Sequence, residues 1–228
     1  MHRVQITIIL LFGVVLSSLA TTPQTWAADG PAFTAVARLN IAGYRHRRHC
    51  TATLIAPDLA LTARHCLKAN VGDGLVRPGA LHLLFGYRTG GWAEHKRVAK
   101  WFFPKPKART RDIAVLQLTE PSALPPIPLA DLSDLKALVQ SAEPNIVQAG
   151  YGSDRAHALS VDAACRLVGS TPTNHWRHTC AAVSGESGGP LLAAIDGRWR
   201  VVAVHSGRTS DGTGVAEPVD AGLYDLVR

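Results

Sequence analysis

Short apolar segments separated by turn residues run through most of this 228-residue chain, and they constrain the fold more than any other feature. Residues 50–55 and 59–62 are strand-like runs joined by Pro57-Asp58, which predicts a β-hairpin. Many short strands with turn signals between them are typical of an all-β barrel or sandwich. The other strand candidates are residues 33–41, 80–87, 98–103, 113–118, 146–149, 191–195 and 199–204.

The segment from residue 121 to residue 144 differs from its surroundings. It contains five prolines and little alternation of apolar and polar residues, which predicts a linker between two halves. A short helix, Leu132–Gln140, is expected within it, and residues 219–228 are typical of a terminal amphipathic helix. We therefore expect a first unit over residues 28–128 and a second over residues 129–228.

The first 27 residues predict an export signal. A basic start precedes an apolar run over residues 4–16, and small residues follow. Thr25-Trp26-Ala27 fits a cleavage site, and cleavage after Ala20 fits nearly as well. An uncleaved anchor is the alternative, because residues 4–20 approach the length of a spanning helix. We expect a secreted or periplasmic protein with no stable membrane insertion after the signal is removed.

The four cysteines become informative once export is expected, because disulfide bonds persist outside the reducing cytosol. Of the three possible pairings we favour the two local pairs, Cys50 with Cys66 and Cys165 with Cys180. A zinc site is the alternative, but it would need Cys-x-x-Cys spacing, which the sequence lacks. We expect no metal and no cofactor.

The chain is basic, with a formal net charge of +7 at pH 7. Such a surface could attract an acidic polymer or an anionic surface. No aromatic-interleaved or Gly-rich nucleic-acid motif accompanies it, so we prefer a solvated basic face and expect no nucleic-acid partner. The basic cluster consists of Arg45, Arg47, Arg48, Arg88, Lys96, Arg97, Lys100, Lys105, Lys107, Arg109 and Arg111.

Three segments carry residues suited to amide hydrolysis, which needs a nucleophile, a base, a group that orients the base, and donors for the oxyanion. Ser187 lies in Gly-Glu-Ser-Gly-Gly-Pro, where glycines allow tight geometry and converging N–H groups. His65 follows a strand and adjoins Cys66, whose disulfide bond would fix the imidazole as a general base requires. Asp112 begins an apolar strand and could orient that imidazole. Taken singly, each could be an ordinary turn residue.

Together these segments resemble the signature segments of the chymotrypsin/trypsin-like serine protease family. Leu-Thr-Ala-Arg precedes His65, Ile-Ala-Val-Leu follows Asp112, and Gly-Glu precedes Ser187, in the family's order of histidine, aspartate and serine. Subtilisins and α/β-hydrolases use other orders. The likeness is closest to compact bacterial secreted members. It extends to residues 33–41 as a first barrel strand, Gly150-Tyr151-Gly152 as a turn of the second barrel, and residues 199–204 as the strand before the specificity pocket.

The resemblance implies two antiparallel six-stranded β-barrels with a short C-terminal helix and an active site between them. Ser187 would attack the peptide carbonyl, His65 would take and return the proton, and Asp112 would orient the imidazole. The N–H groups of Gly185 and Ser187 would form the oxyanion hole. The pair Cys50–Cys66 would match the disulfide bond that brackets the family's histidine.

Glu186 departs from the family, which has aspartate before the nucleophile. In animal members that aspartate pairs with a new N-terminus, typically Ile-Val-Gly-Gly, and nothing similar lies upstream of Phe33. Either an internal Arg or Lys pairs with Glu186, as in some bacterial members, or processing creates an unfamiliar N-terminus. The longer side chain predicts a slight displacement of the oxyanion loop.

The resemblance also implies a specificity pocket. Its floor would be Ala181, with Ala182 and Val183 beside it and with His205, Ser206 and Gly207 as a wall. No aspartate occupies the floor, so cleavage after Arg or Lys is not expected. Small to medium apolar side chains are the expected substrate groups. The alternative is a wall histidine that helps to hold an acidic side chain, as in glutamate-specific bacterial members.

We therefore expect a secreted, monomeric serine endopeptidase that acts on polypeptides through an acyl-enzyme intermediate. A weakly active or inactive binding protein on the same fold is the alternative, although retention of all three candidate residues argues against it. An ester hydrolase of the α/β type would need alternating helices and strands and a different residue order.

Overall fold

The computed structural model describes residues 31–42, 48–69, 74–104 and 111–227, and the expected signal segment lies outside these ranges. Twelve strands in the described ranges form two closed antiparallel barrels of six strands each. The all-β architecture with a short C-terminal helix is therefore confirmed.

The two barrels follow each other along the chain. The first contains β1 (Val36–Ile41), β2 (Arg48–Ala56), β3 (Leu59–Thr62), β4 (Leu81–Phe85), β5 (Glu94–Phe102) and β6 (Ala114–Leu118). The second contains β7 (Asn145–Gly150), β8 (Ser160–Ser170), β9 (Trp176–His178), β10 (Pro190–Ile195), β11 (Arg198–Arg208) and β12 (Gly214–Pro218). Their strands pair in the orders β1-β2-β3-β6-β5-β4 and β10-β11-β12-β9-β8-β7.

Two short α-helices accompany the barrels in the described part of the chain. They are α1 (Leu132–Gln140), which has the bounds expected from the sequence, and α2 (Ala221–Val227). With nine and seven residues, both are far shorter than a bilayer-crossing helix.

Alternating burial explains why the short apolar runs form barrels. In β4 the side chains of Leu81, Leu83 and Phe85 are fully buried, whereas those of His82 and Leu84 are partly exposed. Successive side chains of a strand point to opposite faces. One face of β4 therefore fills the barrel core, and the other faces outwards.

The predicted hairpin is present, and it positions the turn that carries His65. β2 pairs with β3 so that Thr53 lies opposite Leu61, and β3 also pairs with β6. β3 ends at Thr62, and a 3-10 turn over Arg64–Leu67 follows. His65 therefore leaves the barrel directly after a strand that is hydrogen-bonded on both sides.

Three strands escape prediction from the sequence pattern: β8, β9 and β12. β8 buries only Cys165 and Leu167 among its eleven residues, so it lacks apolar alternation. β9 has three residues, too few for a periodic signal. The strand predicted from Phe33 begins only at Val36, because Pro31–Ala35 forms a 3-10 helix.

The proline-rich segment contacts both barrels. The N–H of Ile127 donates to the carbonyl oxygen of Leu54 in the first barrel at 2.9 Å, and the N–H of Ala130 donates to that of Val201 in the second at 3.0 Å. The backbone hydrogen bonds of this segment thus switch from the first barrel to the second between Ile127 and Ala130. We therefore propose that the first unit ends near residue 128.

Arg111 fastens the two barrels together beside Asp112. Its guanidinium donates to the carbonyl oxygen of Pro218 at 2.7 Å and pairs with the carboxylates of Glu217 and Asp220. These partners lie on or directly after β12 of the second barrel. The first-barrel segment that carries Asp112 is thereby held against the second barrel.

Candidate active site

Asp112 holds both the ring and the backbone of His65. Its Oδ2 lies 2.6 Å from Nδ1 of His65, and its Oδ1 accepts the backbone N–H of His65 at 2.8 Å. Because a carboxylate can only accept, Nδ1 carries the proton, and Nε2 is left as the basic nitrogen. The structure thus brings together the base and the orienting group that the sequence suggested.

Ser206 supplies a further donor to Asp112, since its hydroxyl group hydrogen-bonds to Oδ2 from the second barrel. Burial alone would raise the pKa of Asp112. The hydrogen bonds and charge interaction with His65, together with the bond from Ser206, outweigh burial and lower that pKa. Asp112 therefore remains ionised beside the imidazole.

Both expected disulfide bonds are present, and one borders the candidate site. Cys50 is bonded to Cys66, and Cys165 to Cys180. This places the sulfur of Cys66 4.0 Å from Nε2 of His65 and 3.6 Å from the carbonyl oxygen of Ser187. His65 and the backbone of Ser187 therefore flank one sulfur atom, although no hydrogen bond joins their side chains within the described residues.

The loop that carries Ser187 requires glycine at two positions. Gly185 has a φ of +97° and Gly188 a φ of +85°. A Cβ atom would lie 2.6 Å from Nε2 of His49 at the first position and 2.2 Å from the carbonyl oxygen of Thr51 at the second. Any other residue would therefore be strained and would also clash.

Two backbone donors in this loop are available to a ligand. Within the described residues, the N–H groups of Gly185 and Ser187 have no acceptor. The N–H of Glu186, which lies between them, instead donates to the carbonyl oxygen of Val183 at 3.1 Å. The two free donors are those expected from the sequence for an oxyanion hole.

Thr51 of the first barrel fastens the loop, and no sequence signal marked it. Its N–H donates to the carbonyl oxygen of Ser187 at 2.8 Å, and its hydroxyl group donates to that of Gly185 at 3.1 Å. The same hydroxyl oxygen accepts the N–H of Tyr151 at 2.9 Å. The hydroxyl group of Thr62 donates to the carbonyl oxygen of Thr51 at 2.8 Å, so this buried residue is satisfied on every side.

The carboxyl group of Glu186 is buried behind the loop and has amide partners instead of a cation. It accepts the backbone N–H of Val183 at 3.0 Å and the side-chain amide of Gln148 at 2.9 Å. The expectation of an internal Arg or Lys partner is wrong for the described residues, where Gln148 takes that place. Burial raises the pKa of Glu186, the charges of Asp154 and Asp162 raise it further, and the two hydrogen bonds oppose the rise.

A cavity of about 400 Å³ opens beside Ser187. No carboxylate is among the residues of the described ranges that line it. Four residues expected at the pocket line it, namely Ala182, Val183, His205 and Gly207, together with Ser153, Ser184 and Arg208, which the sequence did not indicate. Arg208 lies at the end of β11 with its side chain exposed. Nothing in the sequence distinguishes it from an ordinary surface arginine.

Two expected pocket residues do not line this cavity. Ala181 is exposed. Its backbone is held away from the cavity by two hydrogen bonds: its N–H donates to Asp162 at 2.9 Å, and its carbonyl oxygen accepts from the side chain of Gln148 at 3.0 Å. Ser206 is turned towards Asp112, whose carboxylate binds its hydroxyl group. The assignments of Ala181 to the floor and of Ser206 to the wall of the pocket stay predictions.

His205 forms part of a buried histidine pair. Its Nδ1 lies 3.2 Å from Nε2 of His178, and both residues are almost fully buried. Burial lowers the pKa of both, and in His205 the charges of His178 and His65 lower it further. His205 is therefore neutral at neutral pH, with Nε2 as the ring nitrogen left for the cavity.

Among the described residues, two groups of side chains are close enough to hold a metal ion. They are Cys50, His65 and Cys66, and Asp162, Cys165 and Cys180. In both groups the sulfur atoms are joined in disulfide bonds. Neither group therefore offers free thiolates as ligands.

Comparison with known protein families adds one finding. The family model described as the trypsin-like peptidase domain matches residues 50–204, which is more than half of the chain. The matched range includes His65, Asp112 and Ser187 and ends within β11.

Proposed function

The chain belongs to the trypsin-like peptidase family, and from this premise we propose a secreted serine endopeptidase with His65, Asp112 and Ser187 as its catalytic triad. Family membership supports a protease-type function. The observation that carries the finer proposal is the double hold of Asp112 on His65, at 2.6 Å and 2.8 Å. It fixes the tautomer in which Nε2 is the free base.

The first half of the proposed reaction forms an acyl-enzyme. Oγ of Ser187 attacks the carbonyl carbon of the scissile peptide while Nε2 of His65 takes the hydroxyl proton. The tetrahedral intermediate then collapses, the C–N bond breaks, and His65 passes the same proton to the leaving amine nitrogen. Asp112 stabilises the imidazolium that exists between these two transfers.

The second half releases the acyl group. A water molecule gives a proton to Nε2 of His65 and attacks the ester carbonyl carbon. The ester bond breaks, the proton returns to Oγ of Ser187, and a carboxylic acid product leaves. In both halves the unengaged N–H groups of Gly185 and Ser187 are proposed to bind the oxyanion, a contribution of about 3 kcal/mol per donor in related sites.

The cavity beside Ser187 supports a proposal about the substrate side chain. Its lining holds Arg208 and the neutral His205 but no carboxylate, so a basic side chain has no counter-charge there. We propose that the enzyme disfavours cleavage after Arg and Lys. Small to medium apolar side chains remain the expected group, and an acidic one remains the alternative.

The proposed compartment is extracellular or periplasmic, and the protein is proposed to act as a monomer. Two disulfide bonds brace the described chain, and such bonds persist in oxidising compartments. The expected signal over residues 1–27 agrees with export.

An active-site fluorophosphonate tests the proposal, because it labels only an activated serine. We expect labelling of the purified protein at Ser187, none in Ser187→Ala, and cleavage of a peptide library by the parent alone. Asp112→Asn should reduce turnover by roughly 10⁴-fold. A folded parent protein that is neither labelled nor able to cleave peptides would overturn the proposal.

That negative result would favour the second candidate, an inactive protein that binds polypeptides. One observation favours this candidate: no hydrogen bond joins the side chains of His65 and Ser187 in the described residues. In proteases of this kind the bond often tightens only when substrate is present. Labelling therefore separates the two candidates more directly than the geometry of the free protein.

A further inference from the structure

A second cavity lies on the outer face of the first barrel and has a volume of about 930 Å³, more than twice that of the cavity beside Ser187. We call it the first-barrel groove. Its lining includes two arginines, three histidines and one tryptophan: Arg38, Arg48, His49, His82, His95 and Trp92. The proposed peptide hydrolysis uses none of these side chains.

The described lining of the groove contains positive charge without a counter-charge. No carboxylate is among the described residues that line it. The guanidinium of Arg38 is half-buried, hydrogen-bonds to Asn40 and packs 5.4 Å from the ring of Tyr87. Its Nε is buried and has no acceptor in the described residues, and burial lowers the pKa of Arg38. This cation is therefore partly stripped of water and lacks an anionic partner.

Arg48 is in the same situation. One of its terminal nitrogens donates to the carbonyl oxygens of Cys66, at 3.1 Å, and of Lys68, but its Nε is also buried and without an acceptor in the described chain. Burial lowers the pKa of Arg48 as well. Because a buried cation is costly without a partner, both guanidiniums would gain from an incoming carboxylate.

The imidazoles and the tryptophan give the groove polar and apolar contact surfaces. Nδ1 of His82 lies 2.9 Å from Nε2 of His95, and the two rings are stacked. The ring of Trp92 meets that of His95 edge-on, and Trp92 is 52% exposed. An exposed aromatic ring beside N–H donors suits a polypeptide better than a small inorganic anion.

The groove reaches the loop that carries Ser187. Nε2 of His49, which lines the groove, lies 3.0 Å from the carbonyl oxygen of Tyr151 and within contact distance of Gly185. The 400 Å³ cavity is lined by second-barrel residues and includes Ser187, whereas the groove is lined by first-barrel residues. A chain with its acyl portion in that cavity would therefore continue past His49 with its leaving-group portion.

We propose that the first-barrel groove binds an acidic stretch of the substrate polypeptide on the leaving-group side of the scissile bond. This inference rests on the proposed peptidase function, which it extends to a substrate class. Arg38 and Arg48 supply charge-assisted hydrogen bonds to carboxylates, and the imidazoles and Trp92 line the path towards the loop of Ser187.

A binding measurement tests the groove without requiring catalysis. The Ser187→Ala protein is titrated with an Asp/Glu-rich peptide and with a matched Asn/Gln peptide, and tryptophan fluorescence is followed. We expect saturable binding of the acidic peptide alone and loss of the signal in Trp92→Phe. Arg38→Gln should weaken binding at least about tenfold, whereas Arg38→Lys should weaken it less. Arg198→Gln, at an exposed arginine of the second barrel, is the charge-matched control and should bind normally.

A cleavage measurement tests the direction of the substrate. Two peptides share one scissile sequence and carry the acidic stretch on the leaving-group side or on the acyl side. We expect the first to have the lower KM and the ratio of the two KM values to collapse in Arg38→Gln. Equal KM values would overturn the directional assignment.

The two measurements keep this inference separate from the proposed function. Binding without cleavage or labelling would remove the peptidase proposal and keep the groove as an acidic-peptide site. Cleavage with no preference for acidic peptides would remove the groove proposal alone. Tighter binding of a sulfated polysaccharide, or equal weakening by Arg38→Gln and Arg198→Gln, would show general charge attraction and overturn it.

Discussion

The hydroxyl group of Thr51 donates a hydrogen bond to the carbonyl oxygen of Gly185 at 3.1 Å, across 134 positions of sequence. Thr51 belongs to the first barrel, and Gly185 to the loop that carries Ser187 in the second. The same hydroxyl oxygen accepts the N–H of Tyr151. One buried side chain therefore sets the position of the proposed oxyanion loop relative to the proposed base.

Replacing Thr51 tests this positioning role. Thr51→Val keeps the shape but leaves the N–H of Tyr151 and the carbonyl oxygen of Gly185 buried without a side-chain partner, at about 1–3 kcal/mol each. We expect kcat to fall roughly tenfold to a hundredfold while KM changes little. Thr51→Ser retains the hydroxyl group and should restore most of kcat. Equal kcat values for the valine and serine variants would show that the hydroxyl group has no such role.

Glu186→Gln should make the protein more stable than its parent, and this gain in the free energy of unfolding should grow as pH rises. Burial raises the pKa of Glu186 in the folded state, so that state holds the proton more tightly than the unfolded chain, whose carboxyl pKa is near 4.3. The carboxyl group therefore makes its full contribution to the free energy of unfolding below that pH. This contribution is lost as pH rises through the pKa of the folded state. Glutamine has no such loss, and its amide could donate to the buried, unpartnered Oε1 of Gln148.

Denaturant unfolding between pH 4 and pH 8 measures this difference, in a Ser187→Ala background to prevent self-digestion. The free energy of unfolding of the glutamine variant, relative to its parent, should increase with pH. A glutamine variant that is less stable than its parent at pH 7.5 would instead indicate an ionised Glu186 with a cationic partner.

The buried pair His178 and His205 predicts loss of stability in mild acid. Burial lowers both pKa values in the folded state, so below about pH 6.5 the unfolded chain binds more protons. The stability contribution is full above that pH and falls by up to about 1.4 kcal/mol per pH unit for each histidine below it. Unfolding at pH 7.5 and pH 5 should show a smaller loss in His178→Gln than in its parent, and an unchanged loss would contradict the assignment.

The two disulfide bonds should contribute similarly to stability and differently to reactivity. Their sequence separations are 16 and 15, so removal of either should cost about 3 kcal/mol. Cys50→Ser with Cys66→Ser also frees the turn of His65 and should slow fluorophosphonate labelling of Ser187. Cys165→Ser with Cys180→Ser is the matched control, assayed at a temperature where both variants remain folded. Equal labelling rates would mean that the first bond does not position the base.

Local sequence patterns predicted much of the fold. The helix Leu132–Gln140 was predicted at its observed bounds, and in the structure Asp131 caps it by accepting the N–H of Asp134. The hairpin of β2 and β3 was likewise predictable from two apolar runs and one turn. β8 was not, because its inward-facing positions are few and its pairing partners lie elsewhere in the chain.

The candidate site likewise has a part that local sequence predicts and a part that it does not. Residue type and short motifs selected His65, Asp112 and Ser187 as candidates, because the chemistry of a base, a carboxylate and a glycine-flanked serine is local. The partners that hold them are not local: Ser206 reaches Asp112 across 94 positions, and Gln148 reaches Glu186 across 38. No spacing rule in the sequence identifies such pairs.

By itself, the sequence determined the all-β class, the local disulfide pairs and the residue types available for chemistry, since each depends on neighbouring residues or short loops, whereas the two barrels were implied by the family resemblance. Only the tertiary structure decided that amides hold Glu186 and that Thr51 fastens the Ser187 loop. It also decided that the outward face of the first barrel gathers two guanidiniums with no carboxylate among the described residues around them. These arrangements form when two closed barrels bring distant strands together, and the energy of each contact depends on burial that no single segment encodes.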